Sequence, residues 1–291
     1  MSPSALPGWF KRRIPPEAVI NEMKCLSLAG VDTVCGKAHC PNFGECLSQR
    51  RLTFIILGPE CSRSCAFCAV RKKSKKGDAS IFPVDPEEPE RVCRTVKEFG
   101  ITHAVVTSVT RDDLADGGAG QFHSVCRALK RCAPGTRIEL LIPDFLGNSE
   151  SLRTVLDAGP QVVGHNMETV PRLYPALRPG ADYARSLALI KDIKTFSNIY
   201  AKSSFMLGIG ETEEELISAM RELAGCGCDI LTLGQYLSPS GAHAPVKEFV
   251  TPEKFDRLRE AGLAMGFKAV LSGPLVRSSY KASEIYEAIA G

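Results

Sequence analysis

The chain has 291 residues, 44% of them hydrophobic and 24% charged, with a formal net charge of +3. That is the composition of a globular protein with ample chain for a full core, and its charge is too mild to imply a nucleic-acid or membrane partner. No run of about 18 apolar residues is present to span a membrane, and the opening MSPSALPGWFKRRIPP has no signal-peptide core.

Residues 1–52 read as an extension rich in Pro, Gly and Cys, with a helix predicted from Pro16 to Leu28 because proline suits a first helical turn. Lys11, Arg12 and Arg13 read as a solvated terminal cluster. The extension ends in CGKAHCPNFGEC, which spaces Cys35, Cys40 and Cys46 as C-x4-C-x5-C. At residues 53–57 the run TFIIL, followed by Gly58 and Pro59, reads as a buried strand. CSRSCAFC follows at once, with Cys61, Cys65 and Cys68 as C-x3-C-x2-C. The basic run at 71–78 reads as a solvated loop.

Further strands are predicted at 103–109, 137–143, 162–167, 201–209, 229–237 and 269–274, with amphipathic helices such as 86–100 and 212–227 between them. About seven β/α steps imply a parallel sheet with helices outside it. A doubly wound sheet and a complete or partial barrel share this alternation, so periodicity leaves the two open. Polar groups fall at the strand ends: Thr107 and Ser108, His165 and Asn166, Gln235 and Tyr236, and Arg277 to Tyr280 after the last strand. Catalytic groups gather at the carboxyl ends of strands in parallel α/β proteins, so this placement predicts one shared site.

Six of the 12 cysteines crowd into residues 35–68, which is no disulfide framework and points to a reducing compartment. Three thiolates on one tight loop grip three irons of a cubane and leave the fourth open to chemistry. The bland alternative is zinc, but a structural zinc site asks for four protein ligands, and each motif offers three. His39 or Cys25 would have to complete a zinc knot at the first. Cys25, Cys93, Cys126 and Cys132 read as small core residues on helices, and Cys226 and Cys228 as a helix terminus. His165 reads as a satisfied structural histidine.

The C-x3-C-x2-C spacing, with Phe67 before the third cysteine, resembles the radical S-adenosylmethionine (SAM) superfamily. With the upstream motif and the blocks TSVTRDDLADGGA (107–119), HNMETVPRLYPALRPGADYARSL (165–187), GIGETEEE (208–215), QYLSPS (235–240) and GPLVRSSY (273–280), the whole chain is similar to the lipoyl synthases. The resemblance implies a partial parallel (β/α)6-type barrel over residues 53–272, an N-terminal extension at 1–52 and a C-terminal segment at 273–291. It implies two [4Fe-4S] clusters, one on Cys61, Cys65 and Cys68 and an auxiliary one on Cys35, Cys40, Cys46 and a serine. Ser278 and Ser279 are both candidates, with Ser279 favoured.

In that family a 5′-deoxyadenosyl radical from SAM abstracts hydrogen at C6 and then C8 of a protein-bound octanoyl-lysine, using two SAM per product. The carbon radicals take sulfur from the auxiliary cluster, giving dihydrolipoyl-lysine. Phe67, Thr107, Ser108, Asp112, Asn166, Glu168 and Gln235 are the candidate SAM contacts. The implied partners are an octanoylated lipoyl domain or glycine-cleavage H protein, a low-potential donor such as ferredoxin or flavodoxin, and a cluster-repair protein. No nucleic acid or membrane is implied. The expected compartment is the cytoplasm, or an organellar lumen if a presequence has been removed. Ser204 and Lys281 depart from the family's usual glycine and histidine or arginine. Biotin synthase and methylthiotransferases fit less well, because the N-terminal cysteine motif and RSSY occur together here. A ferredoxin-type electron carrier would not need this much β/α scaffold.

Overall fold

LTFII at Leu52–Ile56 and ILTLGQ at Ile230–Gln235 are buried at every position, as strands covered on both faces must be. A computed structural model describes residues 6–11, 15–28, 30–37, 40–72 and 82–291; Arg12, Arg13, His39 and residues 73–78 of the basic run lie outside them. The strands are β1 (Asp32–Thr33), β2 (Leu52–Ile56), β3 (His103–Ser108), β4 (Arg137–Leu141), β5 (Val162–Gly164), β6 (Tyr200–Leu207), β7 (Ile230–Gln235) and β8 (Ala269–Gly273). Helices α1 (Glu17–Leu28), α2 (Val34–Lys37) and α3 (Phe43–Ser48) precede β2, α1 falling where the sequence predicts it. Between β2 and β8 come α4 (Glu88–Glu98), α5 (Ala119–Cys132), α6 (Ser149–Asp157), α7 (Tyr174–Leu177), α8 (Tyr183–Phe196), α9 (Glu213–Gly225) and α10 (Pro252–Ala264). Helix α11 (Ala282–Ala290) follows β8.

The sheet runs in strict chain order from β1 to β8, with β2 through β8 parallel and β1 antiparallel to β2. A doubly wound sheet reverses its strand order at a switch point; this one never does, and so takes the barrel course. It stays open, with β1 and β8 at its edges. Seven strands are parallel rather than six. The outer helices bury regular stripes: Phe122, Val125, Cys126 and Leu129 on α5, and Leu216, Ala219, Met220 and Leu223 on α9. Thr212 and Glu215 form a capping box that starts α9, and Asn148 caps α6 through the Glu150 and Ser151 amides.

The two chain ends fill the gap the open sheet leaves. Asn42 Nδ2 donates to the Leu275 carbonyl at 2.6 Å, Tyr280 donates to Glu45 at 2.7 Å, and Arg51 pairs with Glu284 at 2.8 Å. Helix α11 closes the amino end of the barrel. Its Ile285 clusters with Val162 and Ile230, the first residues of β5 and β7, and Tyr286 packs edge-on against Tyr200 at 6.0 Å. Cys93 is a core residue as expected, Cys132 only half-buried, and the two pair as a disulfide joining α4 to α5, helices that lie side by side. Cys25 is exposed rather than core, Cys126 is buried as expected, and Cys228, read only as part of a helix terminus, is also buried.

Asp229, just before β7, accepts from Lys194 at 2.7 Å and pairs with Lys268 at 3.0 Å. Burial pushes its carboxyl up, but these cations and the Ala201 amide outweigh burial and hold it below the usual carboxylate range. A depressed folded value stabilises the fold above the unfolded carboxylate range, and that contribution is lost as the pH falls through the folded value. The wild-type melting temperature is therefore expected to fall more steeply between about pH 5 and pH 3 than that of Asp229→Asn. Parallel pH-melting curves for the two proteins would contradict this reading of Asp229.

Candidate active site

A cavity of about 460 Å³ occupies the barrel lumen. Cys35, Cys40 and Cys46 line it together with Arg277, Ser278, Ser279 and Tyr280, and the same cavity is walled by Phe67, Cys68, Asn166, Glu168 and Gln235. The first cysteine motif, the RSSY block and the Phe67–Cys68 end of the second motif therefore face one space, with Asn166, Gln235 and Tyr236 from the predicted strand ends; Cys61, Cys65, Thr107, Ser108 and His165 are not in its lining. Most of the remaining wall is apolar, from Val34, Leu52, Val105, Leu141, Met206 and Val276.

The loop carrying Cys61, Cys65 and Cys68 leaves the carboxyl end of β2 and is strapped from several sides. The Cys61 amide donates to Arg71 O, Ser62 N to Thr110 O, and Ala66 N to Leu177 O. Ala244 N donates to Ala66 O at 2.9 Å, and His243 donates from Nε2 to the Cys68 carbonyl at 3.1 Å. Phe67 packs in a cluster with Leu177, Ile209 and Tyr236. Arg63, inside the motif, pairs with Asp112 and Asp144.

In each trio burial disfavours the thiolate form that a metal would need. Burial pushes Cys68 up to about 11, reinforced by Cys65 and Cys61, and burial likewise raises Cys65 against the pull of Arg178. In the other trio burial, then Cys40 and Cys46, push Cys35 up to about 12. Buried sulfurs that repel one another as thiolates are stabilised by a cationic group placed among them. Among the described residues no three His, Cys, Asp or Glu side chains converge on a single-ion position. A cubane asks for something different, one thiolate on each of separate irons. The donor chemistry of both trios thus fits iron–sulfur clusters.

The candidate SAM contacts divide by what they bond. Asn166 Nδ2 donates to the Glu168 carboxylate at 3.0 Å on the cavity wall, where Glu168 holds a left-handed φ of 65° and burial raises its carboxyl. Gln235 also lines the cavity, but its amide is committed to the Leu207, Tyr236 and Glu248 carbonyls and the Val250 amide. Thr107 donates to Leu141 O, and Ser108 Oγ is buried with no partner among the described residues. Asp112 turns to Arg63 and Ser62. His165 is structural as expected: Nδ1 donates to Ile142 O, Nε2 accepts from Ser186, and burial, with Arg178 nearby, lowers it to about 4. Arg178 holds the Asn166 and Met167 carbonyls and the Tyr174 hydroxyl.

Several site residues escape a sequence reading. Asp144 is fully buried between Arg63 and Arg185, and Glu139 and Lys202 form a buried ion pair at 2.7 Å beside His103, which itself lines the cavity. Their only sequence signal is a charged residue on or just after a strand otherwise apolar.

Gly234 on β7 sets the height of the C-terminal segment. A Cβ there would stand 2.0 Å from the Val276 carbonyl oxygen and 2.9 Å from its carbon, both backbone. Gly234→Ala is expected to push residues 275–280 out of the cavity wall while the rest of the barrel stays folded. Hydrogen exchange should then rise in that segment and remain at wild-type levels in β3 and β4; unchanged protection at 275–280 would show that the segment is not held there.

Residues 55–223 match the Radical SAM superfamily. The chain is 50% identical over 277 residues to the lipoyl synthase of Caldanaerobacter subterraneus subsp. tengcongensis, covering 95% of each, and 48% identical to that of Alkaliphilus metalliredigens, covering 97% of this chain and 96% of the other. In fold it resembles methylornithine synthase (TM-score 0.56, 16% identity, 79% of this chain and 75% of that one). It also resembles the [FeFe]-hydrogenase maturase HydG from Carboxydothermus hydrogenoformans (TM-score 0.59, 12% identity, 82% and 57%).

Proposed function

The chain belongs to the lipoyl synthases of the radical SAM superfamily, enzymes that insert two sulfur atoms into a protein-bound octanoyl chain, and on that premise we propose how its residues divide the work. Cys61, Cys65 and Cys68 hold the [4Fe-4S] cluster that binds SAM. Cys35, Cys40, Cys46 and Ser279 hold a second cluster that supplies the sulfur. When bound, the first provides the electron that cleaves SAM, and the second provides sulfide at fixed range. The single observation that supports this division is the shared cavity, whose wall contains Cys35, Cys40 and Cys46, the RSSY serines, and Phe67 and Cys68 at the end of the second motif.

The chain's own residues then do the positioning. The apolar wall formed by Leu52, Val105, Leu141 and Val276 receives the octanoyl chain and excludes water, so C6 and C8 meet sulfur as neighbours rather than by diffusion. Asn166 and Glu168 offer the polar wall for SAM, while Gln235 and Thr107 support that wall through the backbone. Ser279 as the non-cysteine ligand gives the second cluster a hard, exchangeable link, suited to a cluster that is consumed.

The acceptor is an octanoyl-lysine on a lipoyl domain or on a glycine-cleavage H protein, with ferredoxin or flavodoxin as reductant and a cluster-repair protein to restore the donor. The six motif thiols must stay reduced to hold clusters, which places the work in a reducing compartment such as the cytoplasm. No helix among the described residues is long and apolar enough to cross a membrane.

The test is anaerobic reconstitution followed by turnover with dithionite, SAM and an octanoyl-lysine peptide. About eight irons per chain and a product carrying two added sulfurs are expected. Deoxyadenosine without any sulfur-bearing peptide would leave the radical machinery standing and remove the substrate assignment.

A further inference from the structure

Arg63 lies between the first two cysteines of CSRSCAFC, yet its side chain is only 6% exposed. Its guanidinium donates from Nε to Asp112 Oδ2 at 2.8 Å, and from Nη2 to Asp112 Oδ1 at 2.9 Å and Asp144 Oδ1 at 2.5 Å. Ser62 and Asp112 add a reciprocal pair of bonds at 3.1 Å. The loop is therefore fixed at residues 62 and 63 by charge-assisted bonds, the strong kind in a dry setting.

Asp144 is the hub of this arrangement. Its side chain is fully buried, and while Oδ1 meets Arg63, Oδ2 accepts from Arg185 Nε of α8 at 2.8 Å. The turn after β4 that presents it is unusual: Phe145 and Leu146 both hold left-handed φ values, 46° and 52°, at non-glycine residues. Such residues are strained and persist only where their surroundings impose them. Here Asp144 Oδ1 accepts the Leu146 amide at 3.2 Å, and Gly117 leaves room for the Phe145 ring, which a Cβ would approach to 2.9 Å. Burial raises Asp144, but Arg63 and Arg185 prevail and keep the carboxyl ionised.

The geometry points to Asp144 as a positioning residue for the SAM-cleaving centre, holding through Arg63 the loop 61–68 in the conformation that presents Phe67 and Cys68 to the cavity. Nothing in Asp144 touches the reacting atoms. The inference rests on Cys61, Cys65 and Cys68 being the ligands of that centre.

The test begins with apo-protein, so that it reads the chain itself. Cysteine alkylation under anaerobic conditions is followed residue by residue by mass spectrometry in wild type, Asp144→Asn and Asp144→Glu. In Asp144→Asn, Cys65 and Cys68 are expected to react about tenfold faster, with Cys40 and Cys46 unchanged and Asp144→Glu intermediate. After reconstitution, the same variant should show a higher KM for SAM and an altered paramagnetic spectrum of the reduced cluster on SAM addition. Unchanged Cys65 and Cys68 reactivity overturns the inference, and so does equal acceleration at all six thiols, which would mean general loosening. Cys65→Ala separates the premise: if it still cleaves SAM, the ligand assignment has failed rather than the anchor.

Discussion

Cys40→Ala will leave SAM cleavage running and stop sulfur insertion, whereas Cys65→Ala will stop both. The asymmetry follows from the two trios lying on separate segments that meet at one cavity, which Cys68 reaches from the second trio. Removing Cys40 disturbs the N-terminal cluster site and its C-terminal neighbour Arg277, while the strapped loop 61–68 keeps its own contacts to Thr110, Leu177 and Asp112. Loss of a ligand should exceed the about 10–100-fold cost of losing a supporting outer residue, so sulfur product from Cys40→Ala should fall to background. Iron should drop from about eight to about four per chain in either variant. Deoxyadenosine by chromatography and peptide mass by spectrometry separate the two. Sulfur-bearing product from Cys40→Ala would sink the donor role of the second cluster.

The largest effect on stability is expected at Glu139. Its carboxylate meets Lys202 Nζ at 2.7 Å with both side chains under 5% exposed, and His103 stands 3.6 Å away. Burial raises the Glu139 carboxyl, but Lys202 and His103 more than offset it and hold the group ionised below its ordinary value. Glu139→Ala strands the lysine in the lumen, an error that costs about 3–5 kcal/mol in buried pairs. For a chain of this size that is a fall in melting temperature of roughly 10 °C. Removing both charges with Glu139→Leu and Lys202→Met should recover most of the loss, since apolar residues of similar volume replace a buried pair at little cost. Thermal unfolding of the three apo-proteins decides it. A double variant as unstable as the single would show that the pair stabilises the lumen beyond neutralising itself.

How much of this was legible in the sequence depends on the range over which each signal acts. Strands such as 53–57 and 229–237 announce themselves because a doubly covered strand must be apolar along its length, and the cysteine spacings are local to a dozen residues. Resemblance carried the barrel course that periodicity left open. Arg63 gave no sign of its partners, because Asp112 and Asp144 lie 49 and 81 positions away and any exposed arginine looks the same. Thr107 and Gln235 sit at strand ends as read, yet both serve the backbone there, a choice made by neighbouring carbonyls that no single strand reveals. The pairing of Cys93 with Cys132 is a property of how α4 lies on α5, and each helix alone shows only a small apolar residue.

The meeting of the chain's two ends also sets an order in time. Asn42 finds the Leu275 carbonyl, and Arg51 finds Glu284, across 233 positions each. At about 5–20 residues per second a ribosome needs roughly 10–50 s to travel that distance. Throughout that interval Cys35, Cys40 and Cys46 have emerged without the segment that will face them, while the loop 61–68 awaits only residues up to 244. Contacts that brace the loop 61–68 are therefore available to the growing chain before those that set residues 275–284 against residues 42–51.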